Sequence, residues 1–418
     1  MLVDLIYGKK IVKVDIKHPC KVEVINPKKI KLKDEKLILK KAFEKPLNSE
    51  SFEDFISKSK KLLFIVNDGT RPTPTLKILD FIYPLISNHN DVNFIVAVGS
   101  HQPPTKKELN IIFGKYYDIY KDKIFIHDSK NNKNLSYFGK TKRGTEVFFN
   151  KIICEIKNIV TINSVEPHYF AGYTGGRKSF LPGIAGYKTI EMNHKFALNE
   201  KSCSLALNEN PVHEDMMDAI SFLKDLHIFS IQIVLTPDGN IYQATTGNIN
   251  DSFFKAIKYA NEIFCIKLKQ KGNIVITVSP PPMDINLYQS QKALENGKMV
   301  LEKNGIIILV SQCINGIGDQ IFYDLLSKAS KPSEVLFYLN KEYKLGYHKS
   351  AKIADLATWA DIWAVSGLDE NVLKKAFIKS YHDVQSALDD ALDNIKNRGK
   401  KPRIIVLPYG SLTVPYIK

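Results

Sequence analysis

The chain has 418 residues, 44% of them apolar and 25% charged, which is the make-up of a soluble globular protein and a length that suits two α/β-sized domains. Its formal charge of +15 comes from lysines scattered among Asp and Glu. The basic runs at Lys58 to Lys61 and Arg398 to Arg403 are short and no basic stripe interleaves with aromatics, so nucleic-acid binding is set aside.

The opening MLVDLIYGKKIVKVDI alternates like a strand and carries its charges after the apolar residues, so it reads as edge strands of the first domain and not as a signal peptide. Three β-branched runs follow, Leu62 to Asn67, Val92 to Val98 and Ile159 to Asn163, each ending in a polar segment. Helical patterns at Thr75 to Ser87 and Lys106 to Tyr117 separate them, which predicts a parallel sheet with crossover helices. Ligands collect at the carboxyl ends of such strands. Arg71, His101 and His168 are therefore expected to face one cleft.

A second series starts at GNIVITVSPPPM, from Gly272. It continues through the helical LYQSQKAL, a strand at Gly305 to Val310, helical Asp319 to Lys328, a strand at Ile362 to Val365, helical His382 to Asn397 and a strand at Arg403 to Leu407. The expected architecture is two α/β domains with largely parallel sheets, 1–267 and 272–418, meeting at an interdomain active-site cleft. The last strand is free to pack back on the first domain. No apolar run reaches eighteen residues, so no membrane span is expected. Five widely spaced cysteines, Cys20, Cys154, Cys203, Cys265 and Cys313, lack any CxxC and point to a reducing cytoplasm.

Five segments carry possible chemistry. DGTR, Asp68 to Arg71, follows a strand and precedes a helix; hydroxyls, amides and a forked cation there suit a phosphate or carboxylate, or else form a plain capping turn. His101, in GSHQPPT, is placed for acid–base work or for capping the next helix. Gly172, Gly175, Gly176, Gly183 and Gly186 crowd into fifteen residues of a chain with 22 glycines, so the backbone there turns repeatedly or approaches something closely. Within that stretch GYTGGRKS fails as a phosphate loop, because Arg177 stands where GxxxxGK[ST] needs glycine. Lys178 is then a point charge, a covalent anchor or half of a solvated pair. His194 can ligate nickel, zinc or copper, or be satisfied by backbone. Gln289 and Lys292, three apart on a helix, can hold a carboxylate and a hydroxyl, or be plain surface. His18, His89, His127, His213, His227, His348 and His382 sit in no comparable context.

In this order, DGTR, GSH, EPHYFAGYTGGRKSFLPGIAGYKTI from Glu166, MNH ending at His194, and LYQSQKA from Leu287 resemble the nickel-dependent lactate racemase family along nearly the whole chain. The resemblance implies a nickel-pincer nucleotide, a pyridinium-3-thioamide-5-thiocarboxylic acid mononucleotide whose carbon and two sulfurs grip nickel. It implies that Lys178 forms the covalent thioamide link and that His194 is the protein ligand to nickel. Asp68, Gly69, Thr70 and Arg71 then bind the nucleotide, His101 and His168 are the catalytic acid–base pair, and Gln289 and Lys292 bind substrate. The implied reaction is racemisation of a 2-hydroxy acid, lactate first, by reversible hydride transfer through a 2-keto acid. The implied partners are that substrate and cofactor-maturation enzymes. Gln102 departs from the family, which more often carries arginine after the histidine. The alternatives are another 2-hydroxy acid or a dehydrogenase with a dissociable nucleotide, the latter weakened by the lack of GxGxxG after the strands.

Overall fold

The computed structural model describes residues 1–17, 20–28 and 30–417; His18 lies outside them. The chain divides into two compact units, Lys29–Ile263 and Met1–Lys28 with Phe264–Lys418.

The first unit is built on a six-stranded sheet in the order Ile241–Gly247, His227–Leu235, Asn158–Ser164, Leu62–Asn67, Val92–Ala97, Ile124–Ile126. Every pair is parallel except the first. Leu62 to Val66 and Val92 to Ala97 are buried throughout, as strands with helices on both faces must be. Thr75–Ile86 and Lys106–Phe113 supply the expected crossover helices. The second begins in a capping box between Thr105 and Glu108 and stops at Gly114, where φ is +52°; a separate short helix, Tyr116–Tyr120, follows. An antiparallel pair, Leu135–Lys140 with Glu146–Asn150, was not foreseen, because its half-buried residues carry no clean alternation.

The second unit has a six-stranded, wholly parallel sheet in the order Ile378–Tyr381, Asp361–Val365, Leu301–Val310, Gly272–Val278, Arg403–Leu407, Lys21–Val24. Asn286, Asp319 and Asp383 cap the helices Leu287–Gly297, Gln320–Ser327 and Val384–Asn397, each side chain satisfying an otherwise unpaired amide.

The N-terminal strands do not lie at the edge of the first unit. Lys21–Val24 pairs with Arg403–Leu407, and Val3, Leu5, Val14 and Ile16 pack in one core with Ile274, Leu388 and Val406. Alternation tells a strand which face to bury but not which sheet supplies the partner. The division falls at Ile263 and Phe264, ahead of the expected Lys267. Arg403–Leu407 stays inside its own sheet, and the final strand, Val414–Ile417, pairs with Cys265–Leu268 in the same unit. No helix among the described residues is long and apolar enough to cross a membrane.

Candidate active site

The strand Leu62–Asn67 delivers Asp68 directly after its end, and the carboxylate is 7% exposed. One oxygen, Oδ1, accepts from the Thr70 amide at 3.1 Å and the Thr70 hydroxyl at 2.6 Å. The other, Oδ2, lies 2.8 Å from His101 Nδ1. Burial raises the Asp68 carboxyl, but the hydrogen bond and charge of His101, the Thr70 bond and the Arg71 charge outweigh it and hold the group below its ordinary value. His101 arrives from the neighbouring strand through Gly99, whose amide bonds the Gly183 carbonyl at 2.9 Å. The helix Thr75–Ile86 starts without a side-chain cap; the Thr75 amide bonds the Thr73 carbonyl at 2.9 Å, so the amides after it and the half-buried Arg71 remain suited to an anion. The Thr73 hydroxyl is instead committed to Asn67 and Ser164.

Around Phe170, 3% exposed, three of the expected residues meet. The His168 ring packs edge-on at 4.5 Å between centroids, the His194 ring at 5.1 Å, and Lys178 Nζ lies 5.7 Å from the ring centre. Sequence reasoning missed Phe170, since an aromatic in a loop carries no periodic signal; its place between His168 and Lys178 was the available clue. Burial first, then the positive charges of Lys178, His101 and Arg71, push the His194 imidazole down to about 3. A ring so placed is neutral at physiological pH and keeps a lone pair for a metal.

The loop holding Lys178 is fixed by buried polar links. Ser179 donates to Asn163 at 2.7 Å, and the Gly176 amide to Gln232 at 3.1 Å. Arg177, 1% exposed, donates to the carbonyls of Ala171, Tyr173 and Gly175 and stacks over Phe253 at 4.4 Å. It is therefore a structural clamp and not part of a solvated pair. Beside His194, Asn193 donates to Asp215 at 2.9 Å, and Asp215 also accepts from Thr141 and Thr145.

The clustered glycines serve the protein's own packing. A Cβ on Gly172 would sit 2.2 Å from the Ala206 carbonyl oxygen, and one on Gly183 would sit 2.1 Å from that of Ser179. Gly69 differs, with only ordinary contacts to Glu108 at 3.5 Å and beyond. Because Gly172 also has φ +75°, Gly172→Ala is expected to destabilise the protein by roughly 2–4 kcal/mol, measured by urea unfolding.

His213 is also pushed down to about 3, by burial and then by Arg177. Both His194 and His213 resist protonation when folded but accept it near 6.5 when unfolded. Stability is thus complete above about 6.5 and falls as pH drops toward 3, by about 1.4 kcal/mol per pH unit for each ring. Urea titrations of the apoprotein at descending pH should show this loss, and His213→Asn should remove one proton's share of the slope.

Gln289 and Lys292 belong to the other unit, on the helix Leu287–Gly297. The Gln289 main-chain amide donates to Oδ1 of the capping Asn286, and Lys292 Nζ lies 3.4 Å from Met283 Sδ. Among the described residues no group of three or more His, Cys, Asp or Glu gathers to hold a metal. A lone neutral imidazole beside a lysine suits a metal that arrives with other ligands attached.

Residues 7–205 match the family model of the lactate racemase N-terminal domain, and residues 267–414 match that of the lactate racemase C-terminal domain. A lactate racemase of Thermoanaerobacterium thermosaccharolyticum is 30% identical over 305 residues, covering 72% of this chain and 71% of the relative. The lactate racemase of Lactiplantibacillus plantarum is 26% identical over 385 residues, 89% of each chain. The solved lactate racemase apoprotein from T. thermosaccharolyticum superposes with a TM-score of 0.90 at 26% identity, covering 99% of this chain and all of that one. With matching segments in both halves and the same architecture, the chain belongs to the lactate racemase family and is an isomerase of the racemase type.

Proposed function

We propose that the chain is a nickel-pincer-nucleotide-dependent racemase of a 2-hydroxy acid, with lactate, the substrate in its relatives' names, as the first candidate. The observation that carries this reading is the gathering of His168, Lys178 and His194 around Phe170, with the charges of Lys178, His101 and Arg71 felt at His194. These residues fit the nucleotide: Lys178 would hold it through a thioamide, His194 would bind its nickel, and Arg71 with the uncapped helix amides would take its phosphate near Gly69 and Thr70. When bound, the nucleotide supplies a pyridinium ring that takes and returns the C2 hydride of the substrate.

The protein's part is proton transfer and orientation. His101 removes the substrate hydroxyl proton and a planar 2-keto acid results; once that acid has turned and regained its hydride, a protonated His168 returns a proton to the oxygen, and the two histidines exchange roles in the reverse direction. Gln289 and Lys292 bind the substrate carboxylate and hydroxyl. Maturation enzymes that build the nucleotide are the expected partners, in a reducing cytoplasm. Another 2-hydroxy acid is the second reading, since Gln102 stands where the family more often carries arginine and the segment after His101 lacks that cation.

Protein produced beside the maturation enzymes should racemise one member of a panel of 2-hydroxy acids, seen as loss of optical rotation. Intact rotation across the whole panel, from protein carrying bound nickel, overturns the proposal.

A further inference from the structure

The two catalytic histidines assigned above are held by opposite kinds of partner. The carboxylate of Asp68 can only accept, so a neutral His101 presents N–H at Nδ1 across the 2.8 Å contact and leaves a lone pair at Nε2. The Ala171 amide can only donate, and it reaches His168 Nδ1 at 3.3 Å, so a neutral His168 carries its proton on Nε2. Asp68 is itself held, since Thr70 donates twice to Oδ1 and only Oδ2 is left to face His101. A buried carboxylate with both oxygens engaged is also a poor neighbour for a phosphate, which likewise only accepts. That separates Asp68 from Arg71, three residues on, where a cation is available.

We propose that Asp68 is a positioning residue for His101, fixing the imidazole proton on Nδ1 so that Nε2 is the resting base, while His168 rests in the opposite tautomer. The catalytic part of this rests on the acid–base reading of the two histidines; the tautomers do not. When Nε2 takes the substrate hydroxyl proton, the imidazolium that forms keeps its Nδ1–H on the Asp68 carboxylate, which stabilises it without accepting the proton. For mirror-image substrates the equilibrium constant is one, so kcat/KM must remain equal in the two directions. The unequal wiring can then appear only in the separate kcat and KM values.

The test is Asp68→Asn. The two Thr70 donors hold the asparagine carbonyl at the Oδ1 position, so its NH2 group faces Nδ1 and drives the His101 proton to Nε2. Imidazole 15N spectra of the apoprotein, recorded above the ordinary imidazole range and assigned with His101→Gln and His168→Gln, should show Nδ1–H for His101 and Nε2–H for His168. In Asp68→Asn only His101 should change. In the loaded enzyme the same substitution should lower kcat/KM by roughly 10³-fold equally in both directions, mainly through kcat. Thr70→Val, which leaves the Oδ2 contact in place, should keep the wild-type His101 tautomer. An Nε2–H tautomer at His101 in the wild type, or an unchanged Nδ1–H tautomer in Asp68→Asn, overturns the proposal. So does a switched tautomer with undiminished activity. If no 2-hydroxy acid is racemised at all, the functional reading fails while the spectra still decide the wiring.

Discussion

Lys178→Ala protein, made beside the cofactor-maturation enzymes, is expected to show the bare polypeptide mass and to lose racemisation by roughly 10³-fold or more, a loss of about 4 kcal/mol in transition-state stabilisation. Lys178→Arg is the sharper variant. It keeps a cation near Phe170, but a guanidinium that stays protonated is no nucleophile for building a thioamide. A mere electrostatic role predicts partial activity for arginine; a covalent tether predicts the same loss as alanine and the same bare mass. The loop should survive either change, because its hold is through main chain and neighbours. The Lys178 amide bonds the Gly175 carbonyl at 3.1 Å, the Gly183 amide bonds the Lys178 carbonyl at 3.1 Å, and Arg177 ties that same Gly175 carbonyl together with those of Ala171 and Tyr173. Urea unfolding of the apoprotein should therefore move by no more than about 1 kcal/mol. Full activity in either variant, or an adduct still present on the chain, would contradict the tether.

His194→Ala is expected to abolish nickel retention, while His168→Gln keeps the metal and loses racemisation by roughly 10²–10⁴-fold. The separation follows from the two environments. His194 is half-buried with its Nδ1 covered, and desolvation with nearby positive charge presses its imidazole down to about 3, conditions that favour a neutral metal ligand and disfavour a proton carrier. His168 also packs edge-on to Phe170, but its Nδ1 is engaged by a backbone amide. Metal analysis and polarimetry on the same preparations decide the matter. Equal nickel and equal activity after both substitutions would remove both assignments.

Much of the site was legible because catalytic loops at the ends of parallel strands leave local marks. Asp68 and His101 follow apolar runs that could only be buried strands, and the structure sets them 2.8 Å apart. The motif around Lys178 announced itself by glycine density and by its failure as a phosphate loop. Its meaning was less legible. Glycines that marked repeated turns or a close approach turn out at Gly172 and Gly183 to close on the protein's own carbonyls. Arg177, read as half of a surface pair, is one of the most buried side chains in the molecule. Nothing local marks a guanidinium as buried, since its partners are backbone carbonyls that every residue has.

By itself the sequence determined the α/β class, the strands that end at the site, and the residue types able to move protons, hold a metal and bear a covalent bond. These follow from apolar periodicity and functional-group chemistry, both of which are local. Only the tertiary structure decided that the N-terminal strands belong to the C-terminal unit, with Lys21–Val24 in its sheet, that Phe170 gathers His168, Lys178 and His194, and that Asp68 faces His101. Those are choices of partner between segments distant in the chain, settled by which apolar faces and unpaired polar groups meet when the core closes.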